Sequence, residues 1–427
     1  MRSYLSVVLL VLITNTLSAQ QRDLTFYINK AKDFNISIKE AQNDNRIAKL
    51  DLDLQRASLL KPEINVEGNV LIAPIISKEN NHSQFKLVTE DVKDYLGYDL
   101  AATDGGQFRS VISFNQPLLV GSSLKTFYNK SDISLRYNNN LISLTNHEVE
   151  KEVSQQYILC LKSLSLAETN SQLLEEISNE LKIMQKLVEN AVYKQSDLLL
   201  LEIECENFRI NYVAAESEYL NNLYELNLLC GINDTSRVEL VNIEPQLITM
   251  PTSVTGFSNS FKIDSMMLLA DLNVSGLKYK PRVNLFADAG LNAVYLPRAN
   301  RLGFSTGLTF AWNIFDGNQR DIQKQTTLVK LQTVENRKAN LLTQQMIHKA
   351  AILNNINSLD KQIQLIDGQL KQYDQLLKMN RVFLATGDIS VIDYRTILRD
   401  LASHRQQRQS LDLEKKSLII NYNYWNF

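Results

Sequence analysis

Glycine and proline are scarce. The 427 residues hold 14 glycines and 7 prolines, about 5 per cent against the roughly 12 per cent of average usage. A chain so short of turn formers is not an ordinary β-sandwich, a collagen-like repeat or a Pro/Gly-rich disordered linker. Most of it is expected to be long helix. Cysteine is scarce too: Cys160, Cys205 and Cys230 are odd in number and widely spaced, which fits neither a disulfide framework nor a metal knuckle. An excess of one charge is also missing, because 45 Lys+Arg stand against 47 Asp+Glu. That balance argues against a nucleic-acid partner or an acidic tail. His82, His147, His348 and His404 are scattered without an H-E-x-x-H, and neither G-x-S-x-G nor a P-loop occurs. No catalytic site, metal or cofactor is therefore expected. Carboxylates are plentiful, but they share helix faces with Lys and Arg, where solvated pairing accounts for them.

Long hydrophobic runs are absent as well. No stretch of 18 apolar residues occurs, so no transmembrane helix is expected. The N-terminus reads instead as an export signal over residues 1–19. Arg2 supplies its charge, Leu5 to Ile13 its apolar segment, and Leu17-Ser18-Ala19 a small-residue exit before Gln20. No cysteine follows that cut, so no lipid anchor is expected there. An exported chain without spanning helices is either soluble or crosses a membrane as a β-barrel.

What is present is repetition. Lys61-Pro62-Glu63-Ile64-Asn65-Val66 returns as Lys280-Pro281-Arg282-Val283-Asn284-Leu285, an offset of 219 residues. Phe108 to Gly121 returns as Phe304 to Gly317, an offset of 196 that still holds at Asp197 and Asp393. The first half thus carries 23 extra residues. They fall in the polar stretch Ser77 to Gly106, which is expected to be a solvent-facing loop between two strands.

Strands are expected at about 62–73, 108–116, 282–295 and 304–313, because each alternates with period two. Val283, Leu285, Ala287, Ala289, Leu291, Ala293 and Tyr295 oppose Asn284, Asp288, Gly290 and Asn292; Phe304, Thr306, Leu308, Phe310 and Trp312 oppose Ser305, Gly307, Thr309 and Ala311. Ile64, Val66, Gly68, Val70 and Ile72 alternate with Asn65, Glu67 and Asn69. Such strands suit a membrane barrel with lipid outside and water inside. They suit a soluble sheet with one buried face equally well. Four strands cannot close a membrane barrel, for which eight is the usual minimum, so a barrel would need several copies of the chain.

The remainder is helical. Ile352, Ile356, Leu359, Ile363, Ile366, Leu370, Tyr373 and Leu377 recur at alternating spacings of 4 and 3, a coiled-coil seam. Leu174, Ile177, Leu181, Met184 and Val188 repeat it in the first half, where Cys160, Ser163 and Ala167 thin it. From Lys125 to Asn190 is 66 residues, about 100 Å of helix. That is longer than one globular core is deep. The hairpin turns fall near Ala191 and Gly387. Repeats at 20–231 (helical hairpin 121–231) and 263–427 (helical hairpin 317–427) flank a connector, 232–262, which has no counterpart.

The doubled order of helix, two strands and helical hairpin resembles the TolC-like outer-membrane efflux channels. The likeness runs through KPRVNLFADAGLNA, GFSTGLTFAWNIFDGNQR and FLATGDISVIDY. It implies a mainly α fold with a membrane β-barrel portion: a homotrimeric 12-strand β-barrel continuous with a coiled-coil α-barrel, in the outer membrane with a long periplasmic extension. It also implies outer-membrane lipid around the barrel, a periplasmic adaptor, and an inner-membrane transporter of RND, ABC or MFS type. By the same resemblance, Asp393 narrows the periplasmic mouth. Thr396 stands where a second aspartate is frequent, and Asp197 holds the related place in the first hairpin. The alternative for either aspartate is a solvated acid favoured by the helix dipole. Ala191, Val192, Gly387 and Asp388 become adaptor-contact tips. Alanine in place of the usual glycine at 191 predicts a first turn of different shape. Tyr295, Phe310 and Trp312 are candidate membrane-interface aromatics, and Phe315 is expected to pack in the strand-to-helix junction. Small-molecule efflux and type I protein secretion both fit; a periplasmic coiled-coil scaffold with a soluble sheet is the reading from another class.

Overall fold

The computed structural model describes residues 22–78, 82–86, 92–98, 106–249, 256–294 and 299–427. The expected export signal and Tyr295 lie outside the described residues. The chain forms two compact units, and both draw on both sequence repeats. One comprises the described residues through Ala41 with Asn140–Ser260 and Arg337–Phe427; the other comprises Gln42–Asn139 and Phe261–Asn336.

Helices open and close on local chemistry. Asp23 accepts the Phe26 N–H and caps α1 (Leu24–Phe34). Asn35 closes α1 with its own N–H and caps α2 (Ile36–Leu60) by accepting the Ile38 N–H through Oδ1. The main helices are α3 (Gly121–Glu189), α4 (Gln195–Leu229), α6 (Gln319–Thr386) and α7 (Val391–Trp425), with α5 (Gly256–Ser275) before the second half. The two hairpins pair 69 with 35 residues and 68 with 35. Proline is absent from all four helices, so nothing interrupts their backbone ladders. α5 begins inside the stretch expected to be connector.

In the first unit every residue of the expected α6 seam is buried or half-buried. Cys160, Ser163 and Ala167 do not interrupt burial on α3; all three are buried. Small side chains there leave room for a polar clasp, in which Asn222 Nδ2 of α4 donates to Ser163 Oγ at 3.1 Å. Tyr27, Tyr157 and Tyr219 lie fully buried in the same cluster. Burial pushes the Cys160 and Cys230 thiols up to about 12. They are protonated near neutral pH and poor nucleophiles, and all three cysteines are free. The α6–α7 contact adds a charged ladder: Asp360, Asp367 and Asp374, seven residues apart, meet Lys415 at 2.5 Å, Arg408 at 3.1 Å and Arg405 at 3.2 Å.

In the second unit β1 (Glu63–Ile72), β5 (Gly106–Pro117), β6 (Arg282–Val294) and β7 (Leu302–Ala311) form an antiparallel sheet in that order. The insertion is not simply loop. Its described parts β2 (Ile75–Ser77), β3 (Gln84–Lys86) and β4 (Tyr95–Leu96) pair into a second sheet, with Ala73, Ile75 and Ser77 buried. Strands this short show no period-two pattern, while their backbone groups still need partners once side chains are buried. Gly290 of β6, at φ 155°, stands opposite Val111, and a Cβ there would lie 2.3 Å from the Ser110 carbonyl oxygen. Only glycine fits that approach.

Candidate functional site

Strand register sorts the four-stranded sheet into two chemically distinct faces. On one, Ile64 pairs with Phe114 and Phe114 in turn with Ala287, Val66 pairs with Ile112 and Ile112 with Ala289, and β7 adds Phe304, Leu308 and Phe310. Phe304 is 86 per cent exposed and Phe310 67 per cent. Large apolar side chains gain about 1.5–3 kcal/mol each on burial, so a face this apolar calls for an apolar surrounding. On the other face Arg109 bridges Glu67 at 3.3 Å and Asp288 at 3.0 Å, and Ser113 Oγ donates to Glu67 at 2.9 Å. Apolar residues interrupt this polar face, among them Leu71, Val111 and the aromatic Phe286. It lies over Gly307, where a Cβ would stand 2.8 Å from its ring, and so the ring is half-buried.

Phe310 thus belongs to the apolar face. Trp312, 55 per cent exposed, follows at the same parity, and its Nε1 donates to the Tyr279 carbonyl at 3.2 Å. Phe315 does not pack into the junction as expected; it is 81 per cent exposed. The tight turn at Gly317 and Asn318, with φ 66° and 63°, carries Phe315 outward. Asp316 is held in place: it accepts from the Tyr279 hydroxyl and from the Arg320 N–H. The Tyr279 hydrogen bond is the main cause that holds the Asp316 carboxyl below its ordinary range.

The two hairpin turns lie in the first unit, in contact with each other. The Tyr193 hydroxyl donates to the Ile389 carbonyl at 2.8 Å, and a Cβ on Gly387 would stand 2.8 Å from Val192 Cγ1. Burial raises the Tyr193 pKa, which keeps that donor protonated. The expected difference in shape is not found. Ala191 takes φ 58° and Gly387 takes φ 83°. The first turn closes with Ala191 N–H to Val188 O and Val192 N–H to Leu187 O; the second closes with Gly387 N–H to Leu384 O and Asp388 N–H to Phe383 O. Both are Schellman closures. The hydrogen bonds set the backbone, and alanine bears the left-handed conformation at a cost of about 1–2 kcal/mol.

The mouth candidates separate here. Asp197, half-buried, accepts the Lys194 N–H at 3.1 Å, one half of a capping box at the start of α4. In α7 the cap is Ser390 itself, whose Oγ accepts the Ile392 N–H. Asp393 is exposed and makes no side-chain hydrogen bond or ion pair among the described residues. Thr396, also exposed, folds its hydroxyl onto the Ile392 carbonyl at 2.9 Å. Asp388 accepts from Thr386 Oγ1 at 2.6 Å. Asp197 and Asp393 are not bonded to each other.

Charged links behind the turns had not been anticipated. Glu204 of α4 is 2 per cent exposed and meets Arg399 of α7 at 2.6 Å. Glu180 of α3 meets Arg381 of α6 at 2.7 Å. Glu204 lies on the same buried stripe as Leu201, Cys205 and Phe208, so helical periodicity alone could have flagged it as an acid needing a partner. Among the described residues no helix is long and apolar enough to cross a membrane, and no group of three or more His, Cys, Asp or Glu could hold a metal.

Several solved structures share this fold. The CmeC outer membrane channel of Campylobacter jejuni superposes with a TM-score of 0.69 at 12% identity, over 94% of this chain and 85% of that one. The open state of the MtrE outer membrane channel of Neisseria gonorrhoeae gives 0.66 at 13%, over 94% and 88%. The outer membrane protein VceC of Vibrio cholerae gives 0.66 at 12%, over 94% and 96%. No protein-family model and no curated protein sequence matches the chain. The fold is the TolC-like outer-membrane channel fold, helix-rich with a sheet portion.

Proposed function

We propose that the chain is one protomer of a trimeric exit duct in the outer membrane, passing small molecules outward and performing no catalysis. The observation that carries this is the sheet: one face apolar and exposed, the other polar and ion-paired, with β1 and β7 each left with an unpaired edge. Three copies would join four strands each into a closed barrel of 12, above the usual minimum of eight. Closure would pair both edges, which no isolated sheet can do. Lipid would cover Phe304, Leu308 and Phe310, while Glu67, Arg109 and Asp288 would line water. The helical hairpins would continue the duct through the periplasm.

In this assembly Ala191, Val192, Gly387 and Asp388 would meet a periplasmic adaptor. An inner-membrane transporter of the RND, ABC or MFS type would supply the energy. Passage through the protein itself would be diffusion down a polar-lined path. Asp393 would form a threefold ring favouring cations, as charged rings do in selective pores. Thr396 would add a neutral hydroxyl one turn deeper. Asp197, engaged in its cap, would contribute less.

The test is reconstitution of the full chain. Membranes washed with carbonate should retain it, cross-linking should give a trimer, and planar bilayers should show discrete conductance. Recovery as a soluble monomer would overturn the proposal and favour a periplasmic scaffold. A conducting trimer that exports only an unfolded polypeptide substrate would move the assignment to protein secretion.

A further inference from the structure

The strands β6 and β7 meet their helices at one end of the sheet, since Arg282 pairs with Ala311. At that end the segments Gly276–Lys280 and Trp312–Asn318, with residues of α3 and α6, enclose an open cleft of about 1060 Å³. Its walls carry Lys125, Lys280, Arg320 and Lys324 against Asp316 and Asp321. Asp316 is already committed to Tyr279 and to the Arg320 N–H. None of the four cations makes an ion pair among the described residues, although the Arg320 guanidinium rests over the Tyr279 ring at 5.4 Å. The cations of α7 behave differently: Arg405, Arg408, Lys415 and Lys416 all reach carboxylates. Beside the basic cleft stand the exposed apolar side chains Trp312, Ile314 and Phe315. Phe310, two residues before Trp312, already belongs to the apolar sheet face.

Uncompensated cations bordered by apolar side chains and an apolar sheet face call for a ligand with an anionic head and hydrocarbon tails. Free phosphate would satisfy the lysines and leave Trp312, Ile314 and Phe315 unexplained. Resting on the duct assignment above, we infer that this cleft binds the phosphate of an anionic phospholipid of the periplasmic leaflet, with its acyl chains along the apolar face of β6 and β7. Lys280 and Lys324 supply charge, and Trp312 borders the headgroup. Aromatic rings favour that depth, where one side is apolar and the other wet. Each basic residue near an anionic surface strengthens binding about fivefold.

The test uses the full chain in an uncharged detergent, with Trp425→Phe making Trp312 the only indole. Dihexanoyl phosphatidylglycerol should change the Trp312 emission saturably. Dihexanoyl phosphatidylcholine should act at least tenfold more weakly, and inorganic phosphate should do nothing. Lys280→Gln with Lys324→Gln should weaken the phosphatidylglycerol response about 25-fold. Lys324→Gln alone, at an exposed position of α6, should weaken it about fivefold and serves if the double variant fails to assemble. Equal responses to the two lipids, a matching response to phosphate, or unchanged titration by Lys324→Gln would overturn the inference. Carbonate-washed membranes separate the two failures. A parent chain absent from them sinks the duct, whereas a membrane-embedded trimer without lipid preference sinks only the cleft.

Discussion

The two hairpin turns have one backbone and two chemistries. Ala191 and Gly387 stand at equivalent places in the repeat and share a left-handed conformation and a pair of closing hydrogen bonds. The acids that follow them do different things. Asp197 is tied to the N–H that opens its helix, whereas Asp393 makes no such bond among the described residues and Ser390 caps its helix through the Ile392 N–H. A side chain without a structural obligation can face ions or a partner; one that caps a helix cannot be changed without loosening the helix. The repeat has thus kept its geometry at both turns and freed an acid at only one.

The sharpest break in this comparison is Gly387→Val. It forces a β-branched residue to φ 83° beside Val192 and should lower the unfolding free energy by about 2–3 kcal/mol. Chemical denaturation would measure it. Gly387→Ala with and without Val192→Ala then separates backbone strain from the contact. The reverse exchange, Ala191→Gly, should stabilise by about 1 kcal/mol in the same assay, because it removes a left-handed alanine. A loss there would mean the two turns are not equivalent. Tyr193→Phe removes the hydroxyl bound to Ile389 and should cost about 1 kcal/mol, with thermal melting of the hairpins as readout. Last come the acids as a pair. Asp197→Ala should cost about 0.5–1 kcal/mol and leave cation preference in planar bilayers unchanged. Asp393→Ala should leave stability within about 0.5 kcal/mol and reduce cation preference. Reversed results would exchange their roles.

Much of this was legible in the sequence wherever one period governs many residues. The α6 seam, the two-faced strands and the positions of the two turns follow from spacings of 3 and 4, of 2, and of 196. What stayed hidden depends on single pairings across the fold. Ser113 and Glu67 are 46 residues apart, and Arg399 and Glu204 are 195 apart. No local pattern announces such partners. The small sheet β2–β4 was illegible for another reason, since strands of two or three residues fall below the length at which alternation can be counted. Phe286 broke the polar pattern, and only the glycine across from it explains why. At position 191 residue type was a poor guide, because the closing hydrogen bonds outweigh the preference of alanine.

The connector after α4 is fastened partly by its side chains, through the Arg22–Asp234 and Lys416–Glu244 ion pairs and buried Leu240, and partly through its backbone. Tyr157, Asn227, Asn423 and Asn426 donate to the carbonyls of Val241, Asp234, Gln246 and Ile248 at 2.7, 2.7, 2.7 and 2.8 Å, and Tyr219 donates to that of Val238. Every residue offers a carbonyl, so these five bonds do not depend on which residue stands at 234, 238, 241, 246 or 248. The outward side chains of Val241 and Ile248 are therefore free to be rewritten as a tag, a label or a recognition patch. The donors that hold its backbone remain on the helices beneath it, while Asp234, Leu240 and Glu244 have to be kept.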